Sequence, residues 1–418
     1  MCYGKNEKKL LSNGNFFKQN SKVLLFLFLS YTTCGIVFFG VMSGFGFMLA
    51  EKGLSPSSIS TIFIATLPYS FKFAISPFIK NIITKINIKM FTILIQIIVI
   101  INIILLGTNT EQSPIYLIFI NVFILTLASS VNDIIADYIR LVSFEGKTLG
   151  TALSVGTIGF RFGMFISGAG ILYIASFYNW TIAFSSVSIF ILINILATIM
   201  LPPHKNLVIL EKNEINSIKN YLNFCKGLFK KYNITAILLL TLSFKFTDSC
   251  INTLKSVFFQ EKGLSKIDYA NISQIMGVVV TIIVGMLAAT FTYKMNIKKC
   301  SKIAFFGQII ASICFIILSS MNCTFMVTTI FVNISTFFLG FSTIIYRTYI
   351  SEISARDINV YTIFISLGSI GRIICSYIGG IIVDTYSWHT LYFLCALSNI
   401  LGFFICFYSN IQEKKKIF

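Results

Sequence analysis

Glu51-Lys52-Gly53-Leu54-Ser55 follows the first long apolar run of this chain, and the same five residues return as Glu261-Lys262-Gly263-Leu264-Ser265 after the seventh. Other matches lie outward from this pair. Lys85-x-Asn87-Ile88-Lys89 returns as Lys294-x-Asn296-Ile297-Lys298. Ser154-x-Gly156-Thr157-Ile158-Gly159, followed by Arg161, returns as Ser366-x-Gly368-Ser369-Ile370-Gly371, followed by Arg372. With Trp180 set against Trp388, every offset falls between 208 and 212 residues. A single match of this kind arises by chance. An ordered set at a near-constant offset marks a chain built as two similar halves.

The halves are made of apolar runs. Of 418 residues, 56% are hydrophobic and 11% charged, and mean hydropathy is +0.84. A soluble chain of this length needs far more polar surface, so its solvent is lipid. About 20 apolar residues cross the hydrocarbon layer. Runs of that size lie near 23–49, 58–79, 90–108, 115–138, 148–176, 181–201, 234–258, 269–291, 301–319, 325–349, 358–384 and 389–409. The expected architecture is therefore an all-α integral membrane protein of about twelve transmembrane helices in two six-helix halves. Residues 1–22 form a tail, 23–201 the first bundle, 202–233 a linker with a short surface helix around Ile215 to Phe229, 234–409 the second bundle, and 410–418 a second tail. The first apolar run leads directly into further spans, so it reads as a helix and not as a cleavable signal.

A parallel repeat of six plus six spans is the major facilitator pattern, which places a ligand site between the halves near the midplane.

Basic residues set the orientation. Of 33 lysines and arginines, about 25 fall in segments on one face, and only Lys52, Lys262 and Lys266 on the other. By the positive-inside rule the rich face is cytoplasmic, with both termini on it. The net charge of +18 is thus a topology signal beside anionic lipid, and no basic stripe with interleaved aromatics points to nucleic acid. Ten scattered cysteines form no C-x-x-C, and His204 and His389 stand alone, so neither a disulfide framework nor a metal site is expected. No Walker loop, nucleophile elbow or metal-ligand pair occurs. We expect neither an enzyme nor a bound cofactor.

Five cations remain inside the spans: Lys72, Arg161, Lys245, Lys255 and Arg372. Ionisable groups in hydrocarbon cost several kcal/mol unless paired or wet, so each is a candidate site residue. Lys72 lies about 12 Å deep, counting from the lysine-rich end of its span, and either faces a cavity or snorkels. Arg161 and Arg372 are equivalent mid-span positions that demand an anion, either an acidic partner or an anionic substrate. Lys245 and Asp248, three apart, share a helical face and form either an internal pair or part of a site. Lys255 is expected to snorkel to the lysine-poor surface. Asp133, Asp137 and Arg140 fall at i, i+4 and i+7 in the fourth span and serve either proton coupling or gating. Arg347, Glu352, Arg356 and Asp357 occupy the matching end of the tenth span, where gating is expected.

Several segments together resemble the AmpG muropeptide permeases of the major facilitator superfamily. Leu67-Pro-Tyr-Ser-Phe-Lys-Phe-Ala-Ile-Ser-Pro-Phe78 resembles their "PY-x-x-KF-x-x-SP" stretch, and Ser130-Val-Asn-Asp-Ile-Ile-Ala-Asp-Tyr-Ile-Arg140 their "SQDI-x-x-DA-[YW]-[RK]" element. The segment from Gly150 to Gly168 resembles "GA-x-x-x-x-x-GYR-x-GM-x-x-SG". Phe244-Lys-Phe-Thr-Asp248 is similar to "YKLGD", and Ser369-x-x-Gly-Arg372 to "S-x-x-GR". The resemblance implies a proton-coupled, monomeric permease of the bacterial inner membrane. Its substrates would be N-acetylglucosaminyl-1,6-anhydro-N-acetylmuramyl peptides, imported for cell-wall recycling. By position, Asp133 and Asp137 would serve coupling, while Lys72, Arg161 and Arg372 would meet the carboxylates of this anionic glycopeptide. The alternative is a carrier for another organic anion or an acyl-CoA-like metabolite.

Overall fold

The repeated pentapeptide is a turn with a cap on each side. In this computed structural model, which describes residues 13–83, 85–108, 113–144, 146–202, 234–353 and 358–408, Gly53 and Gly263 have φ of 81° and 76°. Glycine enters that left-handed region without strain. Gly53 N–H donates to the Ala50 carbonyl and Leu54 N–H to the Leu49 carbonyl, and Gly263 and Leu264 repeat the pattern on Gln260 and Phe259. Both ends are thus closed by the same pair of reversed bonds, satisfying carbonyls the helix leaves free. Ser55 and Ser265 then cap the next helices, accepting from the N–H groups of Ser58 and Asp268. In the second repeated motif Asn87 and Asn296 do the same for Lys89 and Lys298.

Among the described residues twelve helical passages follow in order. α1 runs Asn13–Phe39, through a π turn at Gly40–Phe45, to Gly46–Glu51. α2 is Pro56–Ile64, a 3-10 turn at Leu67–Tyr69, then Lys72–Ile83. α3 is Ile88–Thr108, α4 Ile115–Ser143, and α5 Gly146–Phe165 with a π turn at Ile166–Gly170 and a continuation Ile171–Phe177. α6 is Trp180–Ile199 and α7 Ile234–Glu261. α8 is Lys266–Tyr269, a π turn at Ala270–Met276, then Gly277–Lys294. α9 is Ile297–Ser320, α10 Phe325–Ile353, α11 Ile358–Thr385 and α12 Trp388–Tyr408. Among the described residues nine helices are long and apolar enough to cross a membrane; α2, α7 and α12 supply the remaining passages. The linker expected at 202–233 lies, beyond Pro202, outside the described residues.

Two sequence expectations change here. The second run, expected as one helix over 58–79, is broken at Leu67–Tyr69, because Pro68 has no N–H to donate and its ring crowds the preceding turn. The first run begins ten residues earlier than Val23, at Asn13, since the polar residues before Val23 continue the helix out of the apolar layer.

Stripes of apolar side chains face outward, as with Leu94, Ile97, Ile101 and Leu105 on α3 and Ile189, Leu192, Leu196 and Ile199 on α6. Lipid accepts such faces where water does not, and hydrogen-bonding groups turn inward. Asn194 donates to Thr33 at 3.1 Å in the first half, and Asn399 to Thr247 at 2.7 Å in the second. The tightest joint is α1 against α5. A Cβ at Gly35, Gly159 or Gly163 would collide with the backbone carbonyl of Phe160, Phe28 or Thr32. Small residues here let two backbones touch, which is how helices associate where lipid offers no hydrophobic drive.

Gly163→Ala is therefore expected to force α1 and α5 apart and destabilise the protein by about 1–3 kcal/mol, the usual range for overpacking. Gly285→Ala, where nothing lies within 4 Å of the added carbon, serves as control. Thermal melting in detergent reads both; equal melting temperatures would refute the close-packing account.

Candidate functional site

The break in α2 positions the first charged pair. Lys72 opens the segment after the 3-10 turn, and its ammonium contacts the Asp133 carboxylate of α4 directly. The same ammonium lies 5.1 Å from the centroid of Tyr69, whose hydroxyl donates to Ser129 Oγ at 2.6 Å. Lys72 is thereby held on α4 and does not reach toward the headgroups. One turn further along α4, Asp137 accepts from the Tyr31 hydroxyl of α1 and from Arg140 Nη2 at 2.7 Å. Tyr31 reaches this place because residue 156 is glycine: a Cβ there would stand 2.6 Å from its ring. The expected i, i+4, i+7 face is present, but Asp133 takes its cation from α2 and only Asp137 takes Arg140.

The second half builds a related arrangement on α7. Lys245 Nζ lies 3.0 Å from Asp248 Oδ2 and 5.1 Å from the Tyr346 ring centroid. Asn252, one turn on, donates to Asp248 Oδ1 at 2.8 Å. Tyr346 packs against Gly368, where an added Cβ would strike its hydroxyl. Arg372 of α11 feels the negative field of Asp248, crosses to the first half at 5.4 Å from the Phe38 ring centroid, and donates to Met42 Sδ at 3.8 Å. Its repeat partner Arg161 differs: it is exposed and faces the charge of Arg347. Among the described residues neither arginine forms a salt bridge. Glu352 is exposed; Arg356 and Asp357 lie outside the described residues.

Toward the lysine-poor face the halves are sealed. Lys266 pairs with Glu51 at 2.9 Å, and Asp384 accepts from Ser57 N–H at 3.1 Å. Tyr173 donates to Asn271. Deeper in, the three π turns meet. Gln274 Nε2 donates to Ser43 Oγ at 2.7 Å, while Phe47 stacks on Tyr269 at 5.4 Å. π turns are rare and cluster at functional places. Trp180 and Trp388 brace the same face, donating at 2.7 Å to Glu51 and Glu261. This explains why the tryptophans recur together with the pentapeptide.

Lys255 departs from expectation. It does not snorkel: only 9% of it is exposed. The reason is the neighbouring half. Its neighbour Ser256 lies so near Gly46 of α1 that an added Cβ there would sit 2.8 Å from the hydroxyl. Side chains that sequence reasoning passed over are Tyr31, Tyr346, Ser43, Tyr269 and Gln274. The glycines at 156 and 368 were the signal for the two tyrosines.

The arrangement has the parts of a transport pathway: opposed charges within the spans and a seal at one end. The family model of the Major Facilitator Superfamily matches residues 27–369. The chain is 25% identical over 411 residues to "Putative transporter AmpG 4" of Rickettsia conorii (strain ATCC VR-613 / Malish 7), covering 92% of this chain and 98% of the relative. It is 26% identical over 417 residues to "Putative transporter AmpG 3" of Rickettsia typhi (strain ATCC VR-144 / Wilmington), covering 94% and 96%. Among solved structures, the nucleoside transporter NupG superposes with a TM-score of 0.69 at 15% identity, covering 93% of this chain and 98% of that one. The peptide transporter POT with alafosfalin superposes at 0.65 and 10% identity, covering 91% and 93%. At these identities the structures speak for the fold alone.

Breaking one member of a half-buried ion pair leaves a charge uncompensated, at a cost of about 1–3 kcal/mol for a pair this exposed. Lys72→Met is expected to lower the melting temperature, and Lys72→Met with Asp133→Leu to recover most of the loss. A double variant no more stable than the single one would show that the bare Asp133 charge is not what destabilises it.

Proposed function

This chain belongs to the major facilitator superfamily, and from that premise we propose that it is a proton-coupled importer of anhydromuropeptides. It is a transporter and not an enzyme. The observation that carries the substrate reading is the excess of cations between the halves. Arg161 and Arg372 have no carboxylate bonded to them among the described residues, and Lys245 and Lys72 each share one. An anionic ligand supplies what these groups lack. Similarity along nearly the full length to proteins named as AmpG transporters supports the glycopeptide class.

In this reading Lys72, Arg161, Lys245, Asp248 and Arg372 bind the ligand, and Asp133, Asp137 and Arg140 couple the proton or gate the inner mouth. The lysine-rich face would be cytoplasmic, in the bacterial inner membrane, with the protein acting as a monomer. The pair geometry suggests how coupling works. Protonation of Asp133 cancels its hold on Lys72, which is then free to meet a substrate carboxylate. Deprotonation draws Lys72 back and releases the substrate. Tyr31 holds Asp137 on Arg140 throughout, so that pair is the steadier of the two.

The test is uptake of radiolabelled anhydromuropeptide by cells lacking their own muropeptide permease. Uptake is expected with this chain, and is expected to collapse with a protonophore. Asp133→Asn should abolish proton-driven accumulation while leaving exchange of substrate across the membrane. Normal accumulation by that variant would remove Asp133 from coupling. No uptake by protein present in the membrane would transfer the reading to another organic anion or an acyl-CoA-like metabolite.

A further inference from the structure

The wall of α7 that carries Lys245 and Asp248 does not end with them. Lys245, Asp248, Asn252 and Lys255 follow at three- and four-residue spacing and so share one face of the helix. The same face continues to Ser256, against Gly46 of α1 in the first half. It therefore meets the first half one residue from Lys255, while Phe259, one turn on, packs on Tyr269 of the seal that Phe47, Ser43 and Gln274 complete.

Lys255 is more than nine-tenths buried. Among the described residues it makes no hydrogen bond or ion pair, and no charged group there acts on it. Burying an ammonium without a partner is among the costliest arrangements a membrane protein adopts, and such groups mark ligand pathways. Its neighbours differ in this respect. Lys245 has Asp248, and Arg372 has the field of the same carboxylate. Lys245 and Arg372 thus share one carboxylate and Lys255 has none among the described residues, which leaves two positive charges along this wall to be met.

We propose that Lys255 is an anion-binding residue at the sealed end of the pathway, so that the transported ligand is a dianion spanning from Arg372 to Lys255. The proposal deepens the importer reading and rests on its premise that an anion is carried. From Asp248, beside Arg372, to Lys255 is seven residues of α7, roughly 10 Å along the helix axis. A ligand with two anionic groups about that far apart along an extended body satisfies both cations. A monoanion satisfies one and leaves Lys255 bare. Neutral solutes gain nothing from either. Lys255 also reports on the seal: an anion resting on it touches the helix turn that holds α7 to α1, where opening of the lysine-poor face must begin.

The test uses purified full-length protein at constant ionic strength, with suberate and its monomethyl ester as probes of equal length and unequal charge. Suberate is expected to raise the melting temperature of the wild type more than the ester does. Lys255→Met should erase that difference while melting, without ligand, at or above the wild-type temperature, since the bare charge is gone. Lys255→Arg should keep the difference. A wild type that does not distinguish the probes overturns the proposal, as does a Lys255→Met protein that still does. Lys255→Gln is read in the same way should the methionine variant not fold. Failure of muropeptide uptake beside an intact suberate difference would remove the glycopeptide reading and leave the dianion site standing.

Discussion

Hydrocarbon cannot solvate an ion, so every charge placed between these helices has to find its partner inside the protein or in what passes through it. That constraint orders the site. Lys72 finds Asp133, Arg140 finds Asp137, and Lys245 finds Asp248. Arg372 settles for the face of Phe38 and the sulfur of Met42, contacts that are weak beside a carboxylate. Lys255 has nothing. The sequence of partners, from full to partial to none, runs along the interface toward its sealed end, and charge deficiency grows in the same direction.

The second constraint is that lipid offers no hydrophobic drive between helices, so association depends on close contact and on buried hydrogen bonds. Glycine meets both needs in the first half. At Gly159 and Gly163 it brings α5 onto the α1 backbone, and at Gly156 it makes the room that Tyr31 needs to reach Asp137. Packing and site are therefore made by one repeated motif. Gly368 provides the equivalent room for Tyr346 beneath Lys245, although Tyr31 and Tyr346 come from non-equivalent helices. The two halves reach similar chemistry by different routes.

What could be read from the sequence was whatever is local. The pentapeptide at Glu51 and Glu261 encodes a helix end, a turn and the next cap within five residues, so its recurrence announced the repeat. Lys245 with Asp248, and Asp137 with Arg140, lie three apart on one helix, and spacing alone brings them together. Asp133 lay on the same stripe, yet its partner stands on another helix behind a break whose direction Pro68 does not disclose. Depth was misleading for Lys255, because counting residues from a span end assumes lipid alongside, whereas α1 covers that turn. The π turns left no mark, since one extra residue in a helical turn changes no side-chain pattern that an apolar run displays.

The division of labour between halves follows from these placements. In the first half the two carboxylates each hold a cation and are set one turn apart at one end of the pathway, so a proton arriving there changes which charges are paired without adding a ligand. Along the α7 wall Asp248 is the one carboxylate set among Lys245, Arg372 and Lys255 in the described residues, and protons on Asp248 cannot relieve that surplus, whereas an incoming anion would. In the importer proposed above, Lys72 would link the two halves, because a third of its side chain stays exposed beside Asp133. It would join the surplus when Asp133 is neutral, raising the affinity for an anion, and would leave it when Asp133 ionises. Coupling in that proposal would need no long-range relay, since one lysine belongs to both accounts of charge.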